Sequence, residues 1–379
     1  MLKKLDFFSN LSPINWWLDQ VKLSPLEKYT LDTGCKFITT LNGDIHDLDN
    51  SYVENDYSSA YKIYKNKLLE KTLAYNINYN DYDIILKKRS TIHIRELFDK
   101  HVDNNTLVIA SSYQHISADT VLDKVKNIVK IDTETDEGNV ITHIEEAIKK
   151  AKKFKKVFVY FIATEFQTGR NYSQAIFDEI YNKIKGLKCK SIFVLDAVQE
   201  MFLLPRDWSK YDYIIGTAHA TYFGFDTGFL IINTKKQNLK GFSGYKRDDV
   251  LKYLNEGLDI ILKRHKYIMM YQKIINDSIS HELIENATLH NSQTNFYSLF
   301  VKDNELLTNN DCLRILKRKF IEPATQADPG VNVEISHHKP YDELYIRVRA
   351  QTLMFDEKDI TNKLNYFTTN YKKVLAFKD

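Results

Sequence analysis

The sequence predicts an α/β protein with a mostly parallel sheet in its middle and a smaller α+β part after it. Short runs rich in branched apolar residues recur between helical stretches: Thr106–Ala110, Ile128–Ile131, Val157–Ile162, Ser191–Leu195, Tyr213–Ile215 and Gly228–Ile232. Strands that are apolar at nearly every position need a sheet covered on both faces, and crossover helices supply that cover. After Gly241–Gly244 the alternation stops. A long helical pattern takes over, with Val250, Leu251, Leu254, Leu258, Ile261 and Leu262 on its apolar stripe.

Taken in order, residues 1–84 carry Trp16, Trp17 and many Tyr and Asn with no clear period. They are expected to contribute to the small domain and to dimer contacts. Residues 85–245 form the expected large domain. In it, Glu96–His101 reads as a helix behind Arg89, Ser90 and Thr91. Tyr172–Gly186 repeats Ile176, Ile180 and Ile184 on one face and stops at a glycine. The basic cluster Lys149, Lys150, Lys152 and Lys153 reads as a solvated helix face. Residues 246–379 form the expected small domain, with strands at Asn295–Val301 and Glu343–Ala350 and an amphipathic helix from Glu357 to Val374.

Composition excludes several classes. Lys and Arg total 53 against 50 Asp and Glu, a net charge of +3, so there is no electrostatic footprint for nucleic acid. Cys35, Cys189 and Cys312 are odd in number and scattered, which argues against a disulfide framework and a zinc site and for a reducing, cytoplasmic setting. No apolar run approaches the roughly 20 residues of a membrane helix. Met1–Asp6 leads into no apolar stretch, so no signal peptide is expected.

The chemistry concentrates where the apolar runs end. One run closes on Asp196, followed by Ala197, Val198 and Gln199. The next closes on Thr217, Ala218, His219 and Ala220, and Gly224 and Gly228 bracket the return. This order resembles the class V aminotransferase-like family of fold type I pyridoxal-phosphate enzymes, which includes alanine–glyoxylate aminotransferase and cysteine desulfurase. The resemblance implies an aspartate-aminotransferase-like large domain, pyridoxal 5′-phosphate as cofactor, an amino-acid substrate and a homodimer. It also implies roles. Asp196 would pair with the pyridine nitrogen, keeping it protonated and the ring an electron sink. Gln199 would contact the phenolic oxygen, and Thr217 with His219 would bind phosphate.

Further stretches fit the same pattern. His115, after the first run, is similar to the family's histidine that stacks on the ring and can shuttle protons. Thr133–Val140 is loosely similar to a structural turn. Thr164–Gly169 resembles a segment lining the ring edge, with Gln167 facing the ring, although Phe166 and Gln167 stand where the family has small residues. Ser90 and Thr91, before a helix, are the counterpart of the phosphate cup, without its glycine. Arg347 aligns with the arginine that forks onto the substrate carboxylate, and Arg349, two residues on, is a second candidate.

One position departs from the family. Ala220 stands where the family has the lysine that bonds covalently to the cofactor and then moves the substrate's α-proton. Three readings remain: a deliberate lysine-to-alanine replacement, a natural non-catalytic protein that binds cofactor or a partner, or a lysine-free enzyme working with pyridoxamine phosphate. Amino transfer is the default activity, with elimination, replacement or decarboxylation open on the same site. Desulfurase chemistry would need a cysteine in Glu322–Asn332, and there is none.

Overall fold

The computed structural model describes residues 59–73, 77–133, 137–166, 168–201, 204–218 and 227–244, with Leu251, Lys252, Leu254, Asn255 and Leu258 beyond them. It also describes, as backbone, the strands at 287–290, 296–301, 331–338 and 343–350. Two compact units divide the chain. One comprises Phe37–Phe166 and Tyr172–Leu262; the other comprises Met1–Lys36, Gln167–Asn171 and Lys263–Asp379.

In the first unit the described elements begin with helix α1 (Ser59–Leu73) and strand β1 (Tyr82–Lys87). Then come α2 (Ser90–His101), β2 (Thr106–Ser111), α3 (Ile116–Leu122) and β3 (Ile128–Ile131). They are followed by α4 (Glu137–Ala151), β4 (Lys156–Ile162), α5 (Gln174–Lys185), β5 (Lys190–Asp196), β6 (Tyr213–Thr217) and β7 (Gly228–Asn233). The strands form one seven-stranded sheet in the order β1-β7-β6-β5-β4-β2-β3. From β3 to β6 every pairing is parallel, and β7 runs antiparallel to both β6 and β1. The mostly parallel sheet is therefore present, and each apolar run is a strand in it. Strand β1 was not expected. Its burial alternates, as on an edge strand, and the apolar-run criterion passes over such a pattern.

The sheet is covered on both faces because successive side chains alternate. Tyr160 points to the α2–α3 side, where Phe98 meets its ring at 5.5 Å in a core with Leu97, Ala118, Leu122, Val194 and Ile215. Phe161 points the other way and meets Phe177 of α5 at 6.3 Å. The predicted stripe Ile176, Ile180 and Ile184 is buried there. Ser173 caps α5 by accepting the Ile176 amide at 3.4 Å, and Gly186 follows its last turn. Lys149 and Lys150 are exposed at the end of α4, as a solvated face requires.

The second unit contains an antiparallel sheet ordered β10-β11-β9-β8, formed by β8 (Ala287–His290), β9 (Phe296–Val301), β10 (Val331–His338) and β11 (Glu343–Ala350). Strands β9 and β11 were expected from the sequence. The expected C-terminal helix lies outside the described residues. Among those residues no helix is long and apolar enough to cross a membrane.

Candidate functional site

In an open α/β sheet the natural crevice lies beyond the carboxyl ends of the strands, where the strand order reverses. Here β2 has β3 on one side and β4 on the other, so the reversal falls between β2 and β4. The segment after β2 carries His115, and the segment after β4 carries Thr164, Glu165 and Phe166. The two segments touch. The rings of His115 and Phe166 meet edge to face, with centroids 4.5 Å apart.

His115 occupies the N-cap of α3, and its Nδ1 accepts the Ser117 amide at 3.1 Å. An imidazole nitrogen that accepts an N–H leaves the proton of the neutral ring on Nε2. The Ser117 hydroxyl stands 3.0 Å from the same Nδ1 and 2.8 Å from Thr91 Oγ1. A chain of short contacts thus joins the imidazole to the start of α2.

That start lies earlier than the sequence suggested. The helix begins at Ser90 rather than Glu96, so Ser90 and Thr91 form its first turn instead of preceding it. The reason is tertiary: His93 and Ile94 are buried against the sheet and extend the helix toward its N-terminus. Arg89 at the N-cap makes no side-chain bond to the first-turn amides, which are the groups that favour an anion. Strand β7 packs tightly beneath. A Cβ on Gly228 would lie 2.3 Å from the Ser90 amide nitrogen. Thr217 sits opposite Gly228 in the β6–β7 ladder, and its hydroxyl donates to the Thr227 carbonyl at 3.0 Å. The structure therefore brings Ser90, Thr91 and Thr217 to one corner.

Asp196 closes β5, and its residue is 2% exposed. Tyr160 donates its hydroxyl to Oδ2 at 2.5 Å, and the Val198 amide donates to Oδ1 at 3.1 Å. Burial pushes the Asp196 carboxyl up to about 6, against the pull of the Tyr160 hydroxyl and then of the Val198 amide. Such a group favours a cationic partner. The ladders align it with the rest of the rim: Ala163 donates its amide to the Asp196 carbonyl, and Ala197 donates to Ile215, two residues before Thr217, each at 2.8 Å.

Gln199 is buried in the turn after β5, next to a polar network that the sequence reading missed. Glu200 is fully buried and bonds Arg206 through Nε at 2.6 Å and Nη2 at 2.8 Å, and it accepts the Thr164 hydroxyl at 2.9 Å. Glu165 is also fully buried and accepts the hydroxyls of Thr133 and Tyr172. Tyr160 was missed as well, because a tyrosine within an apolar run reads as core. A signal for Glu200 did exist: an acidic residue one place beyond Gln199 with an arginine six residues on.

Of the remaining candidates, Gln167, His219 and Ala220 lie outside the described residues. Arg347 and Arg349 fall on β11 of the second unit, opposite Ser298 and Phe296 of β9; their side chains lie outside the described residues. Among the described residues no cluster of His, Cys, Asp or Glu could hold a metal ion.

No family model and no curated protein matches this sequence. Solved structures do. A NifS-like protein from Rickettsia africae superposes with a TM-score of 0.64 at 14% identity, over 89% of this chain and 96% of that one. A lysine-to-alanine variant of serine palmitoyltransferase from S. paucimobilis, with bound PLP and myriocin, gives 0.63 at 10% identity over 86% and 80%. Serine palmitoyltransferase from Sphingomonas wittichii gives 0.63 at 11% identity over 86% and 79%. At these identities the likeness establishes the fold: an aspartate-aminotransferase-like large domain with a smaller α+β part.

Proposed function

We propose that this chain binds pyridoxal 5′-phosphate at the carboxyl edge of the large sheet, and that its native activity is chemistry at the α-carbon of an α-amino acid, with amino transfer first. The observation that carries the reading is Asp196, a carboxylate buried at a strand end and fixed by two donors, the Tyr160 hydroxyl and the Val198 amide. The residues fit the cofactor's parts. Asp196 would keep the pyridine nitrogen protonated. Ser90, Thr91 and the first-turn amides of α2, with Thr217 and His219, would hold the phosphate. His115 would flank the ring, and Gln167 and Gln199 would reach its edge. Arg347, or Arg349, would take the substrate carboxylate. When bound, the cofactor supplies an electron sink that stabilises negative charge at the α-carbon. The bound state of the structural neighbours whose names include PLP supports this reading by analogy of fold.

Ala220 sets what this chain can do with that site. Methyl is neither nucleophile nor base, so the chain as written binds without turnover, as a lysine-to-alanine form of an enzyme would. The same residue favours one second reading, a natural binding protein of this fold that performs no chemistry. We place the chain in the cytoplasm as a homodimer that binds a small-molecule amino-acid substrate, without nucleic-acid or membrane partners.

The test is Ala220→Lys with added pyridoxal 5′-phosphate. A visible absorption band that changes on adding an amino acid supports the enzyme. A band that no amino acid perturbs favours the binding protein. No band at all overturns the cofactor reading. A panel of amino acids then identifies the substrate side chain.

A further inference from the structure

We propose that Tyr160 is a positioning residue: its buried hydroxyl holds Asp196 as an oriented, acceptor-only carboxylate and so makes the site select a ring with a protonated nitrogen. The inference rests on the cofactor reading above and adds a residue that the reading does not contain.

The placement follows from the ladder. Tyr160 pairs with Val194 across β4 and β5, and Asp196 lies two residues further on, on the same face of the sheet. The phenol comes up from the apolar core, where Phe98 and Phe158 meet edge to face and Phe98 also meets the Tyr160 ring. Tyr160 is fully buried and its hydroxyl reaches Oδ2 at 2.5 Å. Burial, and then the charge of Asp196, push the phenol well above its ordinary range, so it remains a donor at every working pH. With Val198 on Oδ1, both carboxylate oxygens carry a donor before any ligand arrives. A buried carboxylate in that state gains from a further N–H that brings positive charge and gains nothing from a C–H. Among the described residues, the charged groups next in line include Asp119 of α3, which faces the Tyr160 hydroxyl electrostatically, Lys130 of β3, 3.9 Å from Asp119, and Asp123, 3.5 Å from Lys130. Burial also pushes Asp119 up, to about 6, and Lys130 opposes that shift.

The experiment compares pyridoxamine 5′-phosphate with its 1-deaza analogue, in which the ring nitrogen is a carbon. Neither has an aldehyde to condense with surface lysines, so binding to the Ala220 chain is read directly by calorimetry. The chain should prefer the nitrogen ring by about tenfold or more. In Tyr160→Phe that preference should fall to within about threefold at pH 7, with the affinity for the analogue little changed, and it should recover as pH rises and Asp196 ionises without its donor. A merely structural role would weaken both ligands alike. An unchanged ratio in a folded Tyr160→Phe overturns the inference and leaves the cofactor reading intact, whereas failure of both ligands to bind the unsubstituted chain overturns the two together. Should the variant not fold, the hydroxyl-bearing ring carbon of Tyr160, labelled with 13C, gives the same decision on the unsubstituted chain. It should shift on binding pyridoxamine 5′-phosphate and not on binding the analogue, and no shift with the former overturns the inference.

Discussion

His93 shows how one buried side chain ties stability to pH. The imidazole is fully buried on α2, with Nε2 3.3 Å from the Gly228 carbonyl. Burial lowers it to about 3; the Gly228 carbonyl opposes that shift and Lys87 adds to it. A base depressed in the folded state takes up protons on unfolding. Its contribution is complete above the unfolded value near 6.5 and is lost as pH falls toward 3. Asp196, raised to about 6, works in the opposite sense: its contribution is present below 3.8 and lost as pH rises through 6. Urea titrations at pH 7 and pH 5 separate the two. Relative to the unsubstituted chain, His93→Gln should lose about 2 kcal/mol less stability over that interval. Equal losses would show that His93 is not the group responsible.

At the scale of elements, the contact of α2 with β7 builds the corner that joins Ser90, Thr91 and Thr217. Gly228 is there because the helix start leaves no room for a side chain: a Cβ would stand 2.3 Å from the Ser90 amide and 2.4 Å from the Arg89 carbonyl carbon. Backbone cannot swing aside as a flexible side chain can. Gly228→Ala should therefore cost about 1–3 kcal/mol in urea unfolding and weaken pyridoxamine 5′-phosphate binding as the first turn moves. Gly186→Ala is the control. Gly186 has φ −72°, and its nearest new contact would be 3.5 Å, so stability should stay the same or rise slightly. The same corner shows a limit of sequence reading. The helix was legible from Glu96 on, but its first turn was not, because His93 and Ile94 owe their burial to strands far away in the sequence.

At the scale of the whole molecule, the homodimer of the proposed function is open to a direct test. Ile116 is in keeping with that dimer: it is a large apolar side chain, 72% exposed, next to His115. Light scattering behind size exclusion should give twice the 44.5 kDa chain mass. A mass equal to one chain, unchanged on dilution, would remove the dimer from the proposal.

The sequence by itself determined the large sheet and the order of the candidate site residues along it. Apolar strands buried on both faces leave a local signature; Asp196 and Thr217 each end one of them, and His115 stands in the segment after another. It also determined that Ala220 brings no amine to its position. Tertiary structure alone decided which strands are neighbours, that an edge strand runs from Tyr82 to Lys87, and that Tyr160 serves Asp196. Each of these is a pairing between residues distant in sequence. Local pattern cannot encode such a partner: a tyrosine in an apolar strand has the same signature whether its hydroxyl meets water or, as here, a buried carboxylate 36 residues further along the chain.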